Sequence, residues 1–119
     1  MTKLTSYEIY DLLSHPRPLW LIRIELGRAD LLKANLSDTI LIEADLSRAD
    51  LSSANLSGAD LHCANLDGAI LFKANLSRAD LSDANLSKAD LSEAKVTDQQ
   101  LAKANSLTGA IMPDGTNHE

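Results

Sequence analysis

Leucine recurs at every fifth position from Leu26 to Leu91, and an alanine stands two positions before nearly every one of these leucines. The position between them is Asp or Asn in most units, and the residue after the leucine is most often Ser. A unit of five residues cannot bury an apolar face by itself, so it must stack on neighbouring units. The pattern therefore predicts a solenoid over residues 23–96.

A period of five fits neither an α-helix nor a flat strand. In a helix, successive leucines would lie about 140° apart around the cylinder. In a strand, they would alternate between the two faces of the sheet. A coil that turns a corner after each unit can instead direct every leucine inward. Thr39 in an alanine position predicts an irregular corner, and Gln99 in the same position predicts that the coils end near residue 96.

The run Ala-(Asp/Asn)-Leu-Ser-x, as in Ala49–Ser53 and Ala84–Lys88, resembles the repeat of the pentapeptide-repeat proteins, in particular short cyanobacterial ones. This resemblance implies an all-β solenoid, a right-handed quadrilateral β-helix with four units in each coil. Leucine and alanine would face inward, and residues 20 apart would stack at a spacing of about 4.8 Å.

Both ends of the chain carry a helix-start pattern, and the predicted organisation is a helical cap and a leading strand at 1–22 and a helical cap and tail at 97–119. Thr5 with Glu8, and Thr97 with Gln100, match the capping box. A stack of coils exposes unpaired backbone at its ends, so we expect helices to cover them. Trp20 is expected to be a packing residue, and the tail from Asn117 is expected to fray.

The outward positions can be interpreted as vertical columns if residues 20 apart stack. Side-chain amides in one column would form a hydrogen-bonded ladder: Asn35, Asn55 and Asn75. Carboxylates on another face would form an acidic strip, interpreted as a solvated surface: Glu43, Asp60, Asp80 and Asp83.

Large apolar residues at outward positions are the sequence signal for a partner or dimer contact. Leu32, Ile70 and Phe72 fall on one face and form the candidate partner surface, although Ser52 interrupts their column. Ile40 and Ile42 are on another side, where they are expected to pack under the N-terminal helix.

The bulk properties narrow the function further. The 119 residues carry a net charge of −6, which disfavours nucleic acid and anionic membranes as partners. The N-terminus does not resemble a signal peptide, and no apolar run approaches the roughly 18 residues of a membrane span. We therefore expect a soluble cytoplasmic protein. Its partner would be another protein or a second copy of the chain.

The chemistry-bearing residues predict no enzyme, no cofactor and no metal site. His15, His62 and His118 stand in unrelated contexts, so no nucleophile, base and carboxylate come together. Cys63 is the single cysteine; it follows His62, and the two side chains are expected to diverge. The predicted function is a non-enzymatic scaffold for protein–protein interaction. The alternative, which the resemblance implies, is a DNA-mimicking regulator of DNA gyrase or of another nucleic-acid-binding protein.

Overall fold

The repeats form a tower of stacked coils in the computed structural model, which describes residues 4–119, so the first three residues of the predicted N-terminal cap lie outside it. Single-residue parallel bridges join positions 20 apart, from Trp20–Ile40 through Asn75–Lys95. Because each unit has five residues, four units make one coil, as the resemblance to known repeats implies. The described chain measures 37 × 23 × 22 Å.

The four sides of the tower are numbered here in chain order. The leucines of the repeats that make up each side are as follows: face 1, Leu21, Leu41, Leu61 and Leu81; face 2, Leu26, Leu46, Leu66 and Leu86; face 3, Leu31, Leu51, Leu71 and Leu91; face 4, Leu36, Leu56 and Leu76.

Each corner is a turn whose residue types follow from its hydrogen bonds. The Ala64 N–H donates to the Leu61 carbonyl at 2.9 Å and closes one turn. The residue two positions after the leucine adopts a left-handed φ, as in Ser53 at 56°. This conformation disfavours most side chains, and the Asp or Asn before the leucine helps to stabilise it. Asn55 Oδ1, for example, accepts the Ser57 N–H at 3.0 Å.

The asparagine column stacks as predicted, but its carbonyl oxygens serve the turns instead of an amide ladder. Asn35, Asn55 and Asn75 are joined by parallel bridges. In each of them Oδ1 accepts the N–H of the serine two residues later, at 3.0–3.1 Å. The side chains of this column therefore stabilise each coil locally.

The core is a column of leucines with alanines beside them. The leucines at every fifth position from Leu31 to Leu86 are all less than 2% exposed. Thr39 is also fully buried, and its hydroxyl donates to the Ser37 carbonyl at 3.4 Å. The corner at Thr39 keeps the regular register, since Ile40 bridges both Trp20 and Asp60. The expected irregularity is therefore absent from this corner, because a threonine with a satisfied hydroxyl fits the alanine site.

Helix α1 spans Ser6–Leu13, and Thr5 is its N-cap residue in the predicted capping box. Its Ile9 joins the buried core. Further along the chain, the Arg17 guanidinium donates to the Asn35 carbonyl at the open edge of the first coil. The helix lies beside residues 25–35, so the expectation that Ile40 and Ile42 pack under it is wrong.

Helix α2 spans Asp98–Ala102, and Thr97 is its N-cap residue, also in the predicted capping box. The coil does not end near residue 96, because the ladder resumes after α2 with bridges Asn85–Ser106 and Asp90–Ile111. These partners are 21 residues apart, so the chain around α2 absorbs one extra residue.

The C-terminal tail is paired instead of frayed at Asn117. Asn117 forms an antiparallel bridge with Ile111, and the His118 N–H donates to the Ala110 carbonyl at 2.8 Å. Neither helix in the described range has the length and hydropathy needed to cross a bilayer.

Candidate functional site

The candidate partner surface predicted from the sequence lies on face 3, where polar residues interrupt it. Leu32 is 53% exposed and Ile70 is 41% exposed, whereas Phe72 is half-buried with the Lys73 ammonium 5.2 Å from its ring centroid. Ser52 lies between Leu32 and Phe72 in their column. Ile70 has aspartates as its bridge partners on both sides. The structure thus places Ile70 and Phe72 side by side around the inward Leu71, whereas Ser52 separates Leu32 from Phe72.

Face 1 carries a contiguous set of apolar side chains that the sequence interpretation missed. We define the face 1 apolar patch as Trp20, Ile22, Ile40 and Ile42. Trp20 bridges Ile40, and the Arg23 N–H donates to the Ile42 carbonyl at 2.9 Å, which stacks Ile22 on Ile42. Trp20 is 70% exposed and Ile22 is 48% exposed, so the prediction that Trp20 is a packing residue is wrong. Residues 20 apart stack, so counting back from Ile40 and Ile42 leads to Trp20 and Ile22. The sequence alone could therefore have indicated the patch.

The acidic strip occupies the same face: Glu43 follows Ile42 in the second coil, and the three aspartates lie on the coils after the patch. Asp60 bridges Asp80. Hydrogen bonds from Ser82 hold the pKa of Asp80 below its ordinary value, and the charges of His62 and Lys103 lower it further. At the edge of the face, the Arg23 Nε lies 3.4 Å from Glu43 Oε2. Because this ion pair is largely exposed, it contributes little to stability.

His62 and Cys63 converge with Asp83 beside this strip, contrary to the expectation that the two adjacent side chains diverge. One ligand atom from each residue lies within 4.8 Å of the others. His62 is half-buried, and the other two are exposed. Desolvation raises the pKa of the Cys63 thiol, and the negative charges of Asp83 and Glu43 raise it further. Asp83 belongs to the next coil, 20 residues after Cys63. Only the stacking of residues 20 apart could have indicated from the sequence that Asp83 lies beside Cys63.

The repeat itself matches a family model described as pentapeptide repeats, with eight copies over residues 21–58, 29–68 and 59–98. These ranges cover more than half of the chain. The chain is a pentapeptide repeat protein. Its coils are therefore those of a right-handed β-helix, as the resemblance implies.

Solved pentapeptide repeat proteins resemble this one. Rfr23 from the cyanobacterium Cyanothece 51142 is 33% identical with a TM-score of 0.60, covering 88% of this chain and 67% of its own. HetL of Nostoc sp. strain PCC 7120, involved in heterocyst differentiation regulation, is 34% identical with a TM-score of 0.35. This match covers 83% of the present chain and 62% of HetL, so the chain spans less than two thirds of that protein.

A pentapeptide repeat protein of the Arabidopsis thaliana thylakoid lumen is 28% identical with a TM-score of 0.44, covering 87% of this chain and 71% of its own. The comparison with curated proteins finds no significant match. The matched family model and Rfr23 point to no catalytic family for this pentapeptide repeat protein.

Proposed function

We propose that this pentapeptide repeat protein is a non-enzymatic interaction module whose face 1 binds a partner protein. The observation that carries the proposal is the face 1 apolar patch. Its four side chains stack in two adjacent columns, and the two from the first coil are substantially exposed. Contiguous apolar surface with a polar rim is typical of protein interaction sites.

The coil holds the patch rigidly before any partner arrives. The backbone on both sides of Trp20 and Ile22 is hydrogen-bonded to the second coil, with the Leu21 N–H donating to the Ile40 carbonyl at 2.8 Å. A preorganised surface loses little conformational entropy on binding. Tryptophan is enriched among residues that dominate binding energy, particularly where it fills a pocket on the partner. Trp20 is therefore the expected anchor of the interface.

The charge of the chain favours a different protein over a second copy as the occupant. Two copies would each carry a net charge of −6 and would repel one another. On face 1 itself, Asp60 and Asp80 follow the apolar patch. A partner that offers an apolar pocket for Trp20, flanked by Lys or Arg for the two aspartates, would complement the face in both shape and charge.

A stable interface buries about 800 Å² on each partner. Four apolar side chains, two of them half-buried, offer only part of that area. The contact would therefore extend from the face 1 apolar patch over the acidic strip on the same face. This extension supplies the polar rim expected around an apolar centre.

Photo-crosslinking can test which face binds. A photoreactive phenylalanine is placed at Ile22 on face 1 or at Phe72 on face 3, and the protein is irradiated in an extract of its source cells. We expect a specific protein to be captured from position 22 and not from position 72. Capture from position 72 alone would transfer the site to face 3 and contradict the proposal.

The captured protein is then purified and its affinity measured with two matched variants, Ile22→Ser and Phe72→Ser. Both place serine where the repeat usually has it, so the fold is retained. Ile22→Ser should weaken binding about tenfold or more, and Phe72→Ser should change it less than about twofold. The emission of Trp20, the only tryptophan, should shift to shorter wavelength on binding. Equal affinities for both variants, or an unchanged emission, would overturn the proposal.

We further infer that the N-terminal segment through Arg17 and the C-terminal segment act as caps. Three contacts support this role: Arg17 donates to the Asn35 carbonyl, Gln100 Nε2 donates to the carbonyls of Leu76 and Ala79, and Asn117 pairs with Ile111. Each occupies backbone groups at an edge of the ladder, where an unpaired edge promotes association between chains.

A further inference from the structure

We propose that His62, Cys63 and Asp83 form a zinc-binding site at the edge of face 1. The three residues offer an imidazole nitrogen, a thiol sulfur and a carboxylate oxygen, all within 4.8 Å of one another. This combination is the donor set that zinc uses in proteins. Sulfur and nitrogen donors also disfavour magnesium and calcium, which prefer oxygen alone.

The fold fixes the positions from which the three side chains project. Asp60 Oδ1 accepts the His62 N–H at 3.1 Å and stabilises the turn. Cys63 occupies the left-handed corner position with φ of 58°, and its N–H donates to the Ser82 carbonyl of the next coil at 2.9 Å. This bond sets Cys63 in register with Asp83. The backbone of the site is therefore hydrogen-bonded before a metal ion arrives.

The separation of the donors is compatible with zinc after small side-chain rotations. Zinc at about 2.0–2.3 Å from each donor requires tetrahedral donors about 3.5 Å apart. The required closure is on the order of 1 Å, and the exposed side chains of Cys63 and Asp83 can rotate freely enough to provide it. Three protein donors leave the fourth tetrahedral position open to solvent.

The charges around the cluster also favour a cation. Glu43 and Asp83 lie close enough to Cys63 to act on its thiol electrostatically. Asp80 interacts electrostatically with His62 and also with the cationic Lys103. Glu43 already forms an ion pair with Arg23. It therefore adds negative charge near the site but is not counted among the zinc ligands. A divalent ion at the cluster would replace carboxylate repulsion by attraction.

Zinc binding to the purified, reduced full chain tests the site. Titration calorimetry should give one zinc ion per chain. The cobalt complex should show an intense thiolate-to-metal absorption band together with the visible bands of a tetrahedral ion. The absence of binding, or a cobalt complex without the thiolate band, would overturn the proposal.

Variants that restore the common residue of the repeat separate loss of ligands from loss of fold. Cys63→Ser and His62→Ser introduce the residues found at Ser53 and Ser52, in the equivalent corner positions. Each should weaken zinc binding by at least about tenfold, and Cys63→Ser should abolish the cobalt–thiolate band. Glu93→Gln, an exposed acidic corner position on face 3, is the matched control and should bind zinc like the parent chain.

Unchanged affinity in both ligand variants would place the ion elsewhere and refute the site. Circular dichroism of each variant verifies that the coils are intact. Because the measurement uses the chain alone, its outcome is independent of whether face 1 binds a partner protein.

Discussion

At the scale of the residue, the Asp or Asn before each leucine is a determinant of the corner. Its side-chain oxygen accepts the N–H two residues later on all four faces, as in Asp50, Asn55, Asp60 and Asn65. This local bond resembles an Asx turn, for which Asp and Asn are favoured. The residue choice is therefore explained by the turn and does not require a ligand.

Removing this oxygen in one corner should destabilise the coil. Asn55 Oδ1 accepts both the N–H and the hydroxyl of Ser57, at 3.0 and 2.7 Å. We expect Asn55→Ala to lower the free energy of unfolding by about 1–2 kcal/mol, measured by urea denaturation. Asn55→Asp keeps the acceptor and serves as the control, with a change below about 0.5 kcal/mol. Equal losses in the two variants would show that the acceptor is not responsible.

At the scale of the element, α2 replaces part of a coil by side-chain hydrogen bonds. Along the regular ladder, the Asp80 N–H donates to the Ala59 carbonyl at 2.9 Å. One coil later, Gln100 Nε2 takes over this role and donates to Ala79 at 3.0 Å and to Leu76 at 2.7 Å. Its Oε1 accepts the Thr97 N–H at 2.9 Å. A single side chain thus starts the helix and joins it to the coil.

The two roles of this side chain can be separated with Gln100→Glu. The carboxylate keeps the acceptor of the capping box but loses the donor, and it places a negative charge against two carbonyls. We expect a loss of about 1–3 kcal/mol in the free energy of unfolding. In α1, Glu8 is the equivalent box residue, so Glu8→Gln should change stability by less than about 0.5 kcal/mol. If the two variants behave alike, the contacts to the coil carry no stability.

The sequence predicts both capping boxes correctly because a capping box is local, with all of its partners within three residues. Prediction from the sequence fails for the segment after α2, where the spacing between bridged residues changes from 20 to 21. The size of this change depends on the number of residues in α2 and its flanks. The five-residue period gives no information about that number. Prediction fails also for the His62–Cys63 pair, because the direction of two adjacent corner side chains depends on backbone geometry.

At the scale of the whole molecule, the tower is short and its charge is mixed. Its longest dimension is 37 Å, and duplex DNA of that length carries about 20 negative charges. The chain has a net charge of only −6, with exposed cations such as Arg48 and Lys88 among the acidic residues. Its charge density is therefore far below that of DNA.

This charge density leads to an expectation for the gyrase alternative. The protein at micromolar concentration should leave DNA supercoiling by gyrase unchanged in a gel assay. A variant with Asp38→Asn, which changes the charge on face 4, should behave identically. Inhibition or protection of gyrase by the parent chain would support DNA mimicry and identify gyrase as the partner protein.

The four-unit coil also determines what a change in repeat number does to the molecule. Removing a multiple of 20 residues would shorten the tower and leave its two ends in the same relative orientation. Removing a single unit would instead rotate everything that follows by about a quarter turn. A deletion between Ile42 and Asp60 would then separate the apolar patch from the aspartates that now continue the same face. Variation in repeat number among such chains therefore changes which residues share a side.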